Sequence, residues 1–124
     1  MQKIYTKKAP EAIGPYSQAV KVGNMVFTSG QIALTPSGEF LDADVKIQTK
    51  QVCENLKAVL GAAGCEISDV VKTTIFLTDI NDFLAVNEVY GEYFSHKPAR
   101  STVVVKELPK GAKVEIECIG VIKS

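Results

Sequence analysis

The sequence lacks a net charge, a second histidine, paired cysteines at metal-ligand spacing and a long apolar run. Its 14 Lys and Arg residues balance 14 Asp and Glu residues, which disfavours nucleic acid or an anionic membrane as a partner. No apolar segment approaches the roughly 20 residues that cross a bilayer, so no transmembrane helix is predicted. His96 lies in a charged connection, and we expect neither a metal site nor a Ser-His pair.

The three cysteines, Cys53, Cys65 and Cys118, form no C-x-x-C motif, and the N-terminal MQKIYTKKAP contains no apolar signal region. Both features favour a reducing, cytoplasmic setting. We expect the cysteines to be buried small hydrophobic residues and not nucleophiles.

The length and the 46% hydrophobic content suffice for one core and are too small for two domains. No repeat or linker divides the chain, so we expect a single domain over residues 1–124. Three short strands are predicted in its first third, at 2–7, 19–22 and 25–28. Gly23-Asn24, between the last two, is typical of a tight hairpin turn.

Helical periodicity follows over 43–63, where apolar residues recur three, four or seven positions apart. Asp42 or Asp44 can cap this helix, and Gly64 can end it in the left-handed conformation. The remaining elements are predicted as a strand at 70–77, a helix ending before Pro98, and strands at 101–106 and 113–122 joined by a hairpin turn at 108–111.

The resulting order, βββαβαββ, predicts an α+β fold with a six-stranded sheet and two helices. Two helices cannot easily cover both sheet faces, yet 103–105 and 119–122 look apolar on both. We therefore expect another subunit on the open face. The alternative is that these strands are central in a monomer core.

Arg100 is the first candidate for ligand binding, because it stands where a proline-defined loop enters a β-branched strand. Strand alternation places Arg100 and Thr102 on one face above Val104, which gives a polar rim over an apolar floor. The planar guanidinium suits a small carboxylate, since it offers two parallel charge-assisted hydrogen bonds. The alternative is a solvated arginine, or one paired with a nearby glutamate.

Glu117 is the candidate acid or base. In the last strand Glu115, Glu117 and Ile119 share a face, and we expect Glu117, beside the apolar residues, to be more desolvated than Glu115 near the turn. Desolvation would raise its pKa towards the range useful for proton transfer. An edge-strand glutamate facing solvent is the alternative.

Two weaker candidates lie earlier in the chain. Tyr16 follows Gly14-Pro15, where its phenol can border a pocket or simply cover the core. Ser29-Gly30 ends a strand, and the glycine can either bring a backbone N–H close to an anion or only form a bend.

Four segments in register resemble the RidA/YjgF family, and the likeness spans essentially the whole chain. They are AIGPYSQ at 12–18, TSGQI at 28–32, PARS at 98–101 and VEIE at 114–117. The resemblance implies a chorismate-mutase-like fold assembled as a homotrimer with pockets between subunits. It also implies cofactor-free hydrolysis of 2-iminobutanoate and 2-iminopropanoate, or their enamines, to 2-oxo acids and ammonia.

By the same resemblance, Arg100 would hold the substrate carboxylate and Glu117 would position the attacking water. The Gly30 N–H and Tyr16 would border the ligand, with Asn87 and Ser29 as supports. Thr102 departs from many relatives, which have cysteine there; its hydroxyl can still donate a hydrogen bond, so we expect an altered preference or rate. The connection 95–97 is also short for the family.

The resemblance leaves two other functions open. One is a non-catalytic module that senses a small carboxylate in the same pocket. The other is RNA cleavage with inhibition of translation, which zero net charge disfavours.

Overall fold

Six strands and two helices follow each other in the predicted order. The computed structural model describes residues 1–123. Its strands are β1 (Gln2–Ile4), β2 (Ala19–Val22), β3 (Met25–Thr28), β4 (Val70–Leu77), β5 (Ala99–Val104) and β6 (Val114–Val121). Its helices are α1 (Val45–Ala62) and α2 (Phe83–Tyr93), and short 3-10 turns occur at Ile67–Asp69, Ile80–Asp82 and Pro109–Gly111. The predicted α+β class is confirmed.

The strands form one mixed sheet in the order β1-β2-β3-β6-β4-β5. Only β4 and β5 pair in parallel within residues 1–123, because α2 carries the chain from one to the other. The prediction that the last two strands form a hairpin is wrong. β4 lies between them, and residues 105–113 carry the chain past β4 to its other side.

Local signals in the sequence set the ends of α1. The Asp44 carboxylate accepts hydrogen bonds from the backbone N–H groups of Lys46 at 2.9 Å and Ile47 at 3.1 Å, as expected for an N-cap. Gly64 follows the helix with φ +80°, a conformation that glycine adopts without strain. Neither helix in the part of the chain described is long and apolar enough to cross a bilayer.

Both helices lie on the same face of the sheet and bury it. On β4, Thr73, Ile75 and Leu77 are fully buried beneath them. No helix or strand of residues 1–123 covers the opposite face, and Val103 in β5 remains 44% exposed. As expected, the two helices cover one face of the sheet and leave the other face uncovered by them.

The core is tightly packed around Gly120 in β6. A Cβ atom at this position would lie 2.5 Å from Cys65 Sγ and 3.6 Å from Leu60 Cδ2. We expect Gly120→Ala to lower the free energy of unfolding by about 1–3 kcal/mol, the usual cost of overpacking. Urea denaturation at fixed protein concentration measures this change.

Gly61→Ala is the matched control, since a Cβ at Gly61 in α1 meets no atom within 4 Å. It should raise stability by up to about 1 kcal/mol, because alanine has the higher helix propensity. Equal unfolding midpoints for Gly120→Ala and the wild type would contradict the packing argument.

Candidate functional site

Arg100 lies at the start of β5, with its side chain on the helix-covered face. Its Nη1 donates a hydrogen bond to Asn87 Oδ1 at 2.7 Å, and its Cζ lies 5.7 Å and 5.2 Å from the ring centroids of Phe83 and Tyr90. Among residues 1–123 no carboxylate lies within 4.0 Å of it. The alternative of an internal Arg-Glu pair is therefore wrong, and a half-buried positive charge remains without a counter-ion.

Thr102 shares the face of Arg100, as strand alternation predicts. Arg100 pairs with Thr73 and Thr102 with Ile75 in the parallel register. The Thr102 Oγ1 atom is buried and has no hydrogen-bond partner among the described residues. A buried hydroxyl is normally hydrogen-bonded, so this oxygen has unused bonding capacity beside the arginine.

A cavity of 420 Å³ brings together Tyr16, Gly30 and Glu115. Its wall also includes apolar side chains, among them Ile13, Ile32 and Pro109. An acid group above an apolar wall is the usual composition of a pocket for a small organic ligand.

Gln18 holds the loop that carries Tyr16, a role that the sequence analysis missed. Its buried amide accepts a hydrogen bond from the Thr6 N–H at 2.7 Å and donates one to Pro10 O at 2.8 Å. Ser29 adds a second tie, because its Oγ donates to Ser17 O at 2.5 Å. Ser29 thus supports the loop. The signal that could have identified Gln18 was an amide side chain three residues after Pro15, between the shaped loop and β2.

Glu115, and not Glu117, is the desolvated glutamate of β6, which corrects the prediction. Glu115 is half-buried against Gly30, so closely that a Cβ on that glycine would overlap its carboxylate. Burial raises the pKa of Glu115, and the negative charge of Glu117 raises it further. Glu117 is exposed. The distance of each glutamate from the turn did not predict which one is buried, because the loops around Tyr16 and Pro109 fold over the end of the strand that carries Glu115.

The structure places Arg100 and the two glutamates on opposite faces of the sheet. Arg100 is in register with Thr73, which faces the helices, whereas Glu115 pairs with Phe76 and Glu117 with Thr74 on the open face. One chain therefore presents two separate half-sites. The first contains Arg100, Asn87 and Thr102, and the second contains Tyr16, Gly30 and Glu115.

The three cysteines are free and buried, as expected. Burial raises the pKa of Cys65 to about 11 and that of Cys118 to about 12, and it also raises the pKa of Cys53. All three are thus protonated at neutral pH and poor nucleophiles. His96 Nε2 lies 2.8 Å from Val70 O, and residues 1–123 contain no cluster of three or more potential metal-ligating side chains.

The sheet and the two helices define an α+β domain, and the cavity beside Glu115 has a size and lining suited to a small organic ligand. The chain belongs to the RidA/YjgF family: the sequence profile described as Endoribonuclease L-PSP matches residues 6–122. A RutC family protein of Pyrococcus abyssi is 55% identical over 118 residues, which are 94% of this chain and 93% of that protein.

Two further relatives carry more specific descriptions. Reactive Intermediate Deaminase A, chloroplastic, of Arabidopsis thaliana is 51% identical over 121 residues, 96% of this chain and 65% of that protein. The crystal structure of E. coli TdcF with bound serine has a TM-score of 0.94 and 48% identity, and the match covers 99% of this chain and 100% of that one.

Proposed function

We propose that the protein hydrolyses reactive imine and enamine acids, with 2-iminobutanoate and 2-iminopropanoate as substrates, to 2-oxo acids and ammonia. The observation that carries the proposal is the half-buried guanidinium of Arg100, which has no counter-ion among residues 1–123. A short carboxylate is the partner that fits such a fork. The relative named Reactive Intermediate Deaminase A and the serine bound in TdcF support the same class of ligand.

The complete site is proposed to form between copies of the chain, in a homotrimer. The open sheet face of one copy, with Tyr16, Gly30 and Glu115, would meet the Arg100 half-site of its neighbour. Two observations support this arrangement, namely the opposite faces of the half-sites and the uncovered apolar sheet face.

Light scattering after gel filtration tests the assembly. We expect a particle of three times the 13.4 kDa chain mass at micromolar concentration. A monomer at that concentration would contradict the intersubunit site, because neither half-site contains both charges.

In the proposed mechanism Arg100 anchors the substrate carboxylate and thereby fixes the position of the imine carbon. The protonated imine is already electrophilic, so orientation of one water can supply much of the acceleration. Tyr16 and the Gly30 backbone would border the ligand, Asn87 would hold the guanidinium, and Ser29 would support the loop from behind. No cofactor or metal takes part in this scheme.

Glu115 takes the acid-base role that the sequence analysis gave to Glu117. Its carboxylate removes a proton from water as the oxygen adds to the imine carbon, and the C=N double bond becomes a C–N single bond. The proton then passes to the amine nitrogen. The regenerated carboxylate takes the hydroxyl proton of the carbinolamine as the C–N bond breaks and the C–O bond becomes C=O. The 2-oxo acid is released, and that proton leaves with the ammonia as ammonium. A carboxyl group with a raised pKa is suited to both transfers.

The decisive assay generates 2-iminobutanoate from threonine with a dehydratase and follows its disappearance. We expect the wild-type protein to accelerate hydrolysis above the spontaneous rate. If the rate stays unchanged while the protein binds 2-oxobutanoate in calorimetry, it is instead a carboxylate-sensing module. The family description also makes RNA cleavage worth testing, although the chain has no net charge for binding phosphates.

A further inference from the structure

Arg100 is the only arginine in the sequence, and the three side chains placed against its guanidinium are uncharged. Phe83, Asn87 and Tyr90 are spaced four and three residues apart, so α2 presents them along a single face. Each contacts the guanidinium: the amide through its oxygen, and the two rings through their π-systems. Helix α2 thus provides an aromatic–amide–aromatic seat for one cation.

The Tyr90 ring is itself held in place. Its hydroxyl lies 2.7 Å from Thr73 Oγ1, and both groups are buried. The ring also stacks on Phe94, with a centroid separation of 4.6 Å and an interplanar angle of 19°. Because these contacts fix the ring, it can act as a rigid platform for the arginine.

We infer that Phe83 and Tyr90 are positioning residues, which hold the Arg100 guanidinium ready for a substrate carboxylate through cation–π contacts. This inference rests on the proposed function and adds residues that act through Arg100. An internal carboxylate would also hold the arginine, but it would neutralise the charge and occupy the N–H fork. An aromatic face attracts the cation without accepting its in-plane N–H groups.

The seat also lowers the entropic cost of binding. A free arginine side chain samples many rotamers and loses that freedom when it grips a ligand. In this structure the amide and the rings restrict the side chain before the ligand arrives, which is preorganisation in the usual sense.

Phe83→Leu tests the seat in binding, because Phe83 is only partly buried and leucine retains an apolar side chain without a π-face. We expect the affinity for 2-oxobutanoate to fall about 2- to 30-fold, the range of one cation–π contact, and KM to rise more than kcat falls. Phe83→Tyr is the control and should retain wild-type affinity, since it keeps the ring.

A double-mutant cycle with Arg100→Ala separates positioning from general structural support. Once the arginine is absent, Phe83→Leu should cause no further loss of affinity. An equal loss with and without Arg100 would overturn the inference.

A second measurement needs no substrate. Because the sequence contains a single arginine, a 1H-15N spectrum shows one arginine side-chain Nε–H signal. We expect the ring currents of Phe83 and Tyr90 to move the chemical shift of this signal upfield of the value for free arginine. Phe83→Leu should move it back towards that value, and Phe83→Tyr should leave it in place. A wild-type signal at the chemical shift of free arginine would contradict the cation–π positioning of Arg100. A shifted signal in a protein without deaminase activity would contradict only the proposed function.

Discussion

Arg100→Ala is expected to lower kcat/KM for 2-iminobutanoate by about 30- to 4,000-fold. Truncating one partner of a hydrogen-bonded charge pair costs about 2–5 kcal/mol, because the other charge is then left without its partner. The coupled dehydratase assay measures the change against the spontaneous rate. Thermal unfolding should confirm that the variant remains folded, since Arg100 forms no ion pair within residues 1–123.

Arg100→Lys is the matched variant, because it keeps the positive charge and loses the planar fork. We expect an activity between those of the wild type and Arg100→Ala. If Arg100→Ala retains activity within about 2-fold of the wild type, the carboxylate anchor lies elsewhere and the proposed chemistry loses its main support.

Glu115→Gln is expected to lower kcat by about 10²- to 10⁴-fold, the usual contribution of a general acid or base. Affinity for 2-oxobutanoate should change little, because the amide keeps the shape of the side chain while losing proton transfer. Calorimetry and the coupled assay together separate the two effects.

Glu117→Gln provides a closely matched control, since it makes the same change two residues along the same strand face. Glu117 is exposed, whereas Glu115 lines the cavity with Tyr16 and Gly30. We expect Glu117→Gln to keep nearly wild-type kcat. The reverse outcome, with Glu117→Gln inactive and Glu115→Gln active, would return the acid-base role to the residue that the sequence pattern favoured.

The raised pKa of Glu115 also predicts how stability and activity depend on pH. The folded chain binds the Glu115 proton more tightly than the unfolded chain does, so ionisation of this group destabilises the fold as pH rises through its folded pKa. At pH 7 Glu115→Gln should therefore unfold at a higher temperature than the wild type, and this difference should diminish as Glu115 is protonated at acidic pH. Wild-type activity should fall over the same acidic range, because the base becomes protonated.

Several features of the fold followed from short-range patterns. Asp44 and Gly64 mark the ends of α1, and Gly23 takes the positive φ angle, +59°, of the predicted hairpin. These predictions succeeded because capping and tight turns depend on a few neighbouring residues. Strand alternation likewise placed Arg100 and Thr102 on one face, since the side-chain period of a strand is local.

The choice of sheet neighbours could not be predicted in the same way. The last two strands were expected to pair because a turn joins them, but β4 lies between them. Pairing partners depend on how α2 crosses the sheet, and that crossing is a property of the whole fold.

The sequence by itself determined the order of elements and the family, and it singled out Arg100 as a candidate, because each depends on local pattern or on motifs in register. Only the tertiary structure decided that Glu115 and not Glu117 is desolvated, and that Arg100 faces the helices while both glutamates face the open side. The physical reason is that the burial of a side chain and its neighbours across a cavity depend on segments far apart in the chain. The loop of Tyr16, for example, folds over the end of β6. Such distant contacts leave no periodic signal in the residues that they bring together.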